Sequence, residues 1–339
     1  MKRVLTILMF SVLVAANIFA APISSPAATV FLTENKVITK EALNKEVSTY
    51  KNAGYNIPES EVLESLINEE LFFQGAKRDG FYVDDRTLDA VYASQKANIE
   101  SQVGASLTDD EFAQMVISQY GSVDAYKTYL REQATMNAYV PAKKADLVNA
   151  VTQPTDRDIT NWYRQNQTSV FTQPYMVRVS VITFARSENA DADAEARKNA
   201  EDVYGQINSG KLSFEKGVQL YSTDTASKSK GGDVGWLIDG PASRQAVGDE
   251  FVDTVMELDV GEIAGVITTP TDYAIAKVTA SEDAKILSLS DYIAPDSNIT
   301  VKEYIRQGLL YQNSQIAFLN AYQSLLEDLK SQAKINRFI

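Results

Sequence analysis

The chain has 339 residues, 45% of them apolar, a formal net charge of −13, and neither cysteine nor histidine. Its length exceeds one ordinary hydrophobic core, so two domains are expected, and its apolar share is that of a globular protein. The two missing residue types exclude disulfides, the common zinc sites, Ser-His-Asp triads and cysteine nucleophiles, while the acidic balance argues against nucleic acid and anionic lipid as partners.

Lys2 and Arg3 precede an uncharged apolar run over 4–16. This is the pattern of a cleavable secretory leader, with an uncleaved N-terminal anchor as the alternative. The expected leader is 1–20, because a cut after Ala21 would leave Pro22 first. No cysteine follows the run, which closes the lipoprotein route, and no later stretch is long and apolar enough to span a bilayer. No EF-hand or comparable carboxylate spacing is present, so no metal and no cofactor is expected.

In chain order, 28–39 alternates around a turn and predicts a short hairpin, with Asn35 near the turn where a left-handed conformation is tolerated. Thr39 is the expected cap of a helix that runs toward Tyr50 and ends near Gly54. Pro58 and Ser60 open the next helix, whose Val62, Leu63, Leu66, Ile67 and Leu71 share one face, widened by Phe72 and Phe73. Asp84 or Asp85 starts a helix through Glu100, and Thr108 with Glu111 has capping-box spacing before another. Ser122 begins a helix extending toward Val148. Its aromatic residues, with those of the helices before it, fit either a packed core or the lining of a cradle.

Thr155 and Asp158 open a linking helix that ends before Phe171. From Met176 the period changes to that of a strand, followed by a helix over 190–208, a short helix from Ser213, a strand over 234–238, and a helix over 249–258. Strands over 263–269 and 272–280 close this segment. A long helix follows from the capping pair Thr300 and Glu303, with Val301, Ile305, Leu309, Ile316, Leu319, Tyr322, Leu326 and Leu329 at three- to four-residue steps. A last strand is expected at 335–339.

Two stretches carry a family resemblance. Residues 221–236, YSTDTASKSKGGDVGW, resemble the signature segment of parvulin-type peptidyl-prolyl isomerases, and the βαααβαββ order over 174–281 is similar to the parvulin pattern. KVITKEALNKEV and VLESLINEELFFQGAKRDGFYVDDRTLDA resemble the N-terminal helical module of SurA-type periplasmic chaperones. The resemblance implies an α+β chain: a leader at 1–20, a helical chaperone module at 21–153, a linking helix at 154–173, and a parvulin-like domain at 174–281. The segment 282–339 returns as a helix and strand to complete the helical module, making that domain discontinuous with the parvulin domain inserted.

Carried over residue by residue, the resemblance puts Asp224 at the loop acid, Val234, Val247 and Phe251 in the proline pocket, and Thr269 at the strand-end hydroxyl. The family's two histidines fall on Val181, or Ser180 if the register slips by one, and on Ala274. Both are gone. Losing both partners of a buried polar pair is nearly neutral where losing one is costly, so the pair reads as a tolerated core conversion. These residues are then either fold residues only or a surviving peptide pocket. The resemblance implies a periplasmic chaperone whose partners are unfolded or outer-membrane client polypeptides, with an inactive parvulin domain and homodimerisation left open. An active isomerase and an envelope scaffold for one dedicated partner are the alternatives.

Overall fold

The computed structural model describes residues 25–339, so the expected leader and its cleavage point lie outside the described residues. The chain clusters into two units, one running to Gln153 and completed by Leu310–Ile339, the other Pro154–Leu309.

Pro26–Phe31 (β1) and Asn35–Thr39 (β2) form the expected antiparallel hairpin. Its turn is made differently. No non-glycine residue described has a positive φ, and Asn35 already belongs to β2. The turn is held by Gln74, whose Oε1 accepts from the amides of Leu32, Thr33 and Glu34 at 3.0, 2.9 and 3.3 Å. An acceptor reaching in from a distant helix leaves no mark on the local sequence.

Thr39 caps Lys40–Asn52 (α1) by accepting from Ala42 N. Glu59–Arg78 (α2) buries all five residues of its expected face together with Phe72. Asp84 caps Asp85–Val103 (α3), and the capping box of Thr108 and Glu111 is complete at Asp109–Tyr120 (α4). Ser122 caps Val123–Lys143 (α5). The expected run toward Val148 breaks at Lys144, and Ala145–Asn149 (α6) follows as a separate piece. Pro141, which has no amide to donate, stands in the last turn of α5. The aromatic rings of α3 to α5 pack on one another: Tyr92, Phe112, Tyr120, Tyr126 and Tyr129 form a chain of ring contacts, and Phe112 and Tyr126 are buried. They build a core of their own.

In the second unit the capping box of Thr155 and Asp158 starts Asp156–Val170 (α7). Thr172–Gln173 (β3), Met176–Ala185 (β4), Ala190–Asn208 (α8), Phe214–Tyr221 (α9) and Thr225–Lys228 (α10) follow. Then come Asp233–Ile238 (β5), Pro241–Val247 (α11), Asp249–Met256 (α12), Ile263–Thr268 (β6), Asp272–Glu282 (β7) and Lys285–Ile286 (β8). The sequence reading missed α11, although proline at its first position signals a helix start. It also missed the short β3–β8 pair. The main sheet is antiparallel in the order β5-β4-β7-β6.

Strand alternation divides the two faces of this sheet. Val177, Val179 and Val181 of β4 share a core with Phe251 and Val255 of α12 and with Ala274, Ala276 and Val278 of β7. Ile182 and Phe184 join Ala200, Val203 and Ile207 of α8 and Val218 of α9 on the other side.

Val301–Gln332 (α13) divides its buried residues between the two units. Val301 and Ile305 share a core with Ile159, Phe171 and Leu287, so the first turns of the closing segment, grouped by sequence with the helical module, lie in the second unit. Farther on, Tyr322, Leu325, Leu326 and Leu329 pack with Leu63, Ile67, Phe72 and Tyr139. Ile316, expected in the buried stripe, is 48% exposed, and Ala317 takes its place as the helical period drifts. The approach to α2 is close: a Cβ on Gly75 would stand 2.6 Å from Leu329 Cδ2. Lys334–Arg337 (β9) then pairs with β1, completing a β2-β1-β9 sheet slightly ahead of the expected 335–339.

The architecture is therefore α+β: a discontinuous, mainly helical domain interrupted by a sheet-containing one.

Candidate functional site

The stretch 221–236 runs from the end of α9 through α10 into β5. Gly231 and Gly232 both have positive φ, 71° and 84°, which side chains disfavour. At Gly232 a Cβ would also meet the Val181 carbonyl at 2.5 Å. The reason is a backbone bond from Val181 N to Gly232 O of 2.9 Å, which ties the loop to the central strand. The glycine pair thus brings the loop acid and the strand valine to one place.

That place is a cleft of about 290 Å³. All seven residues singled out from the sequence line it: Val181, Asp224, Val234, Val247, Phe251, Thr269 and Ala274. The cleft is open to solvent and has not closed around the valine. Val181 lines the cleft by strand alternation, and Ser180 is not among the lining residues. Val181 stands opposite Ala276 and Ala274 opposite Thr183, so Val181 and Ala274 are diagonal neighbours on adjacent inner strands. Both are buried, 5% and 2% exposed, in the same apolar core as Phe251.

The polar residues are committed elsewhere. Asp224 caps α10, its two carboxylate oxygens accepting from Ala226 N at 3.0 Å and Ser227 N at 3.3 Å. The Ser227 hydroxyl first, then these amides, holds its carboxyl below the usual carboxylate range. Asp224 is thus an ionised cap with no proton to offer at neutral pH. Thr269 closes the turn between β6 and β7, accepting from Asp272 N at 2.9 Å and donating to Asp272 O at 3.0 Å.

Sequence reasoning missed Thr183. Its hydroxyl accepts from Asp224 N at 3.0 Å and lies 3.4 and 3.1 Å from the hydroxyls of Ser222 and Thr223. Thr183 and Ser222 are buried, and Thr183 is the member of this hydroxyl cluster that lines the cleft. A hydroxyl two residues beyond Val181 in an alternating strand was the available signal.

Chemically, the cleft can hold an apolar ring and exclude water from it. Rotation about a peptide bond is opposed by about 18–20 kcal/mol of amide resonance and needs no nucleophile. Binding the twisted amide better than the planar one would suffice. The floor beneath Val181 and Ala274, however, carries no titratable side chain, and its hydroxyls already have partners.

A family model, the PPIC-type PPIASE (rotamase) domain, matches residues 181–280. The chain is 25% identical over 259 residues to Chaperone SurA of Alkalilimnicola ehrlichii, covering 74% of this chain and 56% of that protein. Over 326 residues it is 25% identical to Chaperone SurA of Nitrosococcus oceani, covering 88% and 73%. Residues 181–280 thus match a parvulin-type domain, and most of the chain is similar to SurA-type chaperones. It is also 25% identical over 283 residues to Foldase protein PrsA of Clostridium botulinum, covering 82% of this chain and 73% of that one. The chain spans about half the length of the first curated relatives it matches. A solved SurA-like chaperone from Campylobacter jejuni is 14% identical, covers 92% of this chain and 100% of its own, and has a TM-score of 0.38.

Proposed function

We propose that this protein is an exported chaperone that holds unfolded polypeptides, and that its parvulin domain binds extended peptide without isomerising it. The observation that carries the reading is the cleft floor. Val181 and Ala274 make it apolar where the family resemblance implies histidines, yet the cleft keeps a volume of about 290 Å³ instead of collapsing. Such a pocket retains apolar contact and loses the polar network behind it. The relatives named chaperone and foldase support the same reading for the whole chain.

The test has two arms. Stoichiometric protein is expected to slow the aggregation of an unfolded outer-membrane client, and catalytic amounts are expected to leave the cis/trans exchange of a proline peptide at its spontaneous rate. No protection from aggregation removes the chaperone reading. Accelerated exchange, lost in Phe251→Ala, establishes instead the second reading, a working isomerase, which the open cleft and buried Phe251 favour.

Export to the periplasm is part of the proposal, with the leader at 1–20 as its vehicle. Among the described residues no helix is long and apolar enough to cross a membrane. Mass spectrometry of the periplasmic protein should find Ala21 at its N-terminus, and an intact Met1 would refute the cleavage.

A further inference from the structure

A second cavity, of about 360 Å³, lies in the helical unit between α2 and α5, beside the β1–β2 turn. Glu34, Lys36 and Lys77 line it on exposed positions, and Phe73, Tyr82, Glu70 and Arg131 line it too. The lining also includes three buried polar residues, Glu69, Gln74 and Glu132, which are 6%, 2% and 2% exposed. Most of the polar groups have partners. Lys77 pairs with Glu34 at 3.3 Å, Arg131 with Asp85, and Gln74 Nε2 donates to Glu70 Oε1 at 2.7 Å. Two groups do not fit this pattern: Glu132 Oε2 and Arg131 Nε are buried and have no hydrogen-bond partner. A buried acceptor in that condition costs about 1–3 kcal/mol and points to something that completes it.

The surroundings restrict what that can be. Glu46 of α1 and Glu69 of α2 both act on Glu132 as like charges, and Glu132 and Glu69 act in turn on Tyr322 of α13. Arg131, the adjacent cation, is held by Asp85 and lies over the Tyr82 ring, 5.6 Å from its centroid. Once Glu132 is ionised, Glu34, Glu69, Glu70 and Glu132 outnumber Lys36, Lys77 and Arg131 in the lining, so a cation that ionises Glu132 is favoured over an anion. Among the described residues no group of three or more acidic side chains is placed to hold a metal ion. A guanidinium fork asks for two carboxylate oxygens side by side, whereas the one buried, unpartnered oxygen of Glu132 suits the point charge of an ammonium. The rings of Phe73 and Tyr82, edge to face at 6.0 Å, offer an apolar and π-rich wall for the methylene stem.

We propose that this cavity binds an alkylammonium group, the lysine side chain of a bound polypeptide or a free amine, with Glu132 as its carboxylate partner. Only the polypeptide source rests on the chaperone reading; the cavity itself does not.

The proposal carries its own signature. Burial first, then Glu69 and Glu46, pushes the Glu132 carboxyl up to about 9, so the acid holds its proton at neutral pH. An ammonium at hydrogen-bond distance favours the carboxylate, and the acid proton passes to the buffer as the ion pair forms. Binding at pH 7.5 therefore releases up to one proton.

Isothermal titration of the full chain, in two buffers of different ionisation heat, tests this with three probes: an acetylated lysine-containing peptide, its norleucine counterpart, and 1,5-diaminopentane. The lysine peptide is expected to bind at least about tenfold more tightly than the norleucine peptide and to release a proton. Glu132→Gln, isosteric with the neutral acid, is expected to keep the helical circular dichroism signal while losing both the preference and the proton release. Diaminopentane that binds with proton release, while neither peptide binds, leaves the site standing and removes the polypeptide source. Equal binding of both peptides without proton release overturns the site and leaves the chaperone reading intact, and an unchanged preference in Glu132→Gln overturns it as well.

Discussion

The two cavities have opposite chemistry. In the parvulin cleft Val181 and Ala274 are buried in apolar contact, and Thr183 and Thr269 are hydrogen-bonded. In the helical unit Glu132 and Glu69 are buried together, and one Glu132 oxygen has no hydrogen-bond partner. The difference teaches where reactivity resides in this chain. The cleft floor at Val181 and Ala274 is apolar and its carboxylate Asp224 is spent on a helix cap, whereas the helical unit keeps a buried acid whose charge depends on its surroundings. Polar groups persist inside a protein at a cost, so their location is better evidence of present use than a fold's ancestry.

The comparison can be tested by substitution. Both tryptophans, Trp162 and Trp236, lie in the unit Pro154–Leu309, so tryptophan fluorescence reads that unit, while far-UV circular dichroism is weighted toward the helical one. The largest effect is expected at Gly232→Ala, where a left-handed residue would also collide with the Val181 carbonyl. A loss of at least about 3 kcal/mol should appear as an earlier urea transition in tryptophan fluorescence. An unchanged transition would mean that the cleft loop is not fixed as described.

Next comes Glu132→Gln. The folded carboxyl titrates at about 9 and the ordinary value is 4.5, so between these values the folded chain holds a proton that the unfolded chain has released. Stability therefore falls as pH rises through that window. The variant should flatten this decline and gain up to about 3 kcal/mol at pH 8, seen as a raised thermal midpoint. A decline that persists in the variant would assign it to other groups.

Gln74→Leu removes the acceptor of three turn amides and should cost about 2 kcal/mol in the helical transition. Little change would show that the amides find water instead. The smallest effect, about 1 kcal/mol, is expected for Thr269→Val, which removes the hydroxyl that closes the β6–β7 turn. Because Thr269 bonds within its own turn, client binding should be untouched, and lost binding would return Thr269 to the cleft's working groups.

Much of the fold is legible in the sequence because its signals are local. Thr39, Thr108, Thr155 and Ser213 each cap the helix that their position predicts, and the valine alternation of β4 divides the two faces of the sheet. The gathering of Val181, Asp224, Val234, Val247, Phe251, Thr269 and Ala274 around one cleft followed from family resemblance, since no period within the chain links residues so far apart. What escaped was long-range: Gln74 reaching the hairpin turn, the commitment of Asp224 to a helix cap, and the burial of Glu132. Glutamate on an amphipathic helix reads as solvent-facing, and only the tertiary fold shows that Glu132 is covered.

The pairing of β9 with β1 sets an order on how this molecule comes into being. Ala28 meets Arg337 and Phe31 meets Lys334, so β1 waits for a strand made far later in the chain. The ribosome and any export channel release the amino end first, and that end must stay unsatisfied while some three hundred residues follow. The sheet of the second unit, by contrast, draws its strands from 176–282 and can assemble earlier. A protein proposed to shelter unfinished chains is thus itself unfinished until β9 arrives.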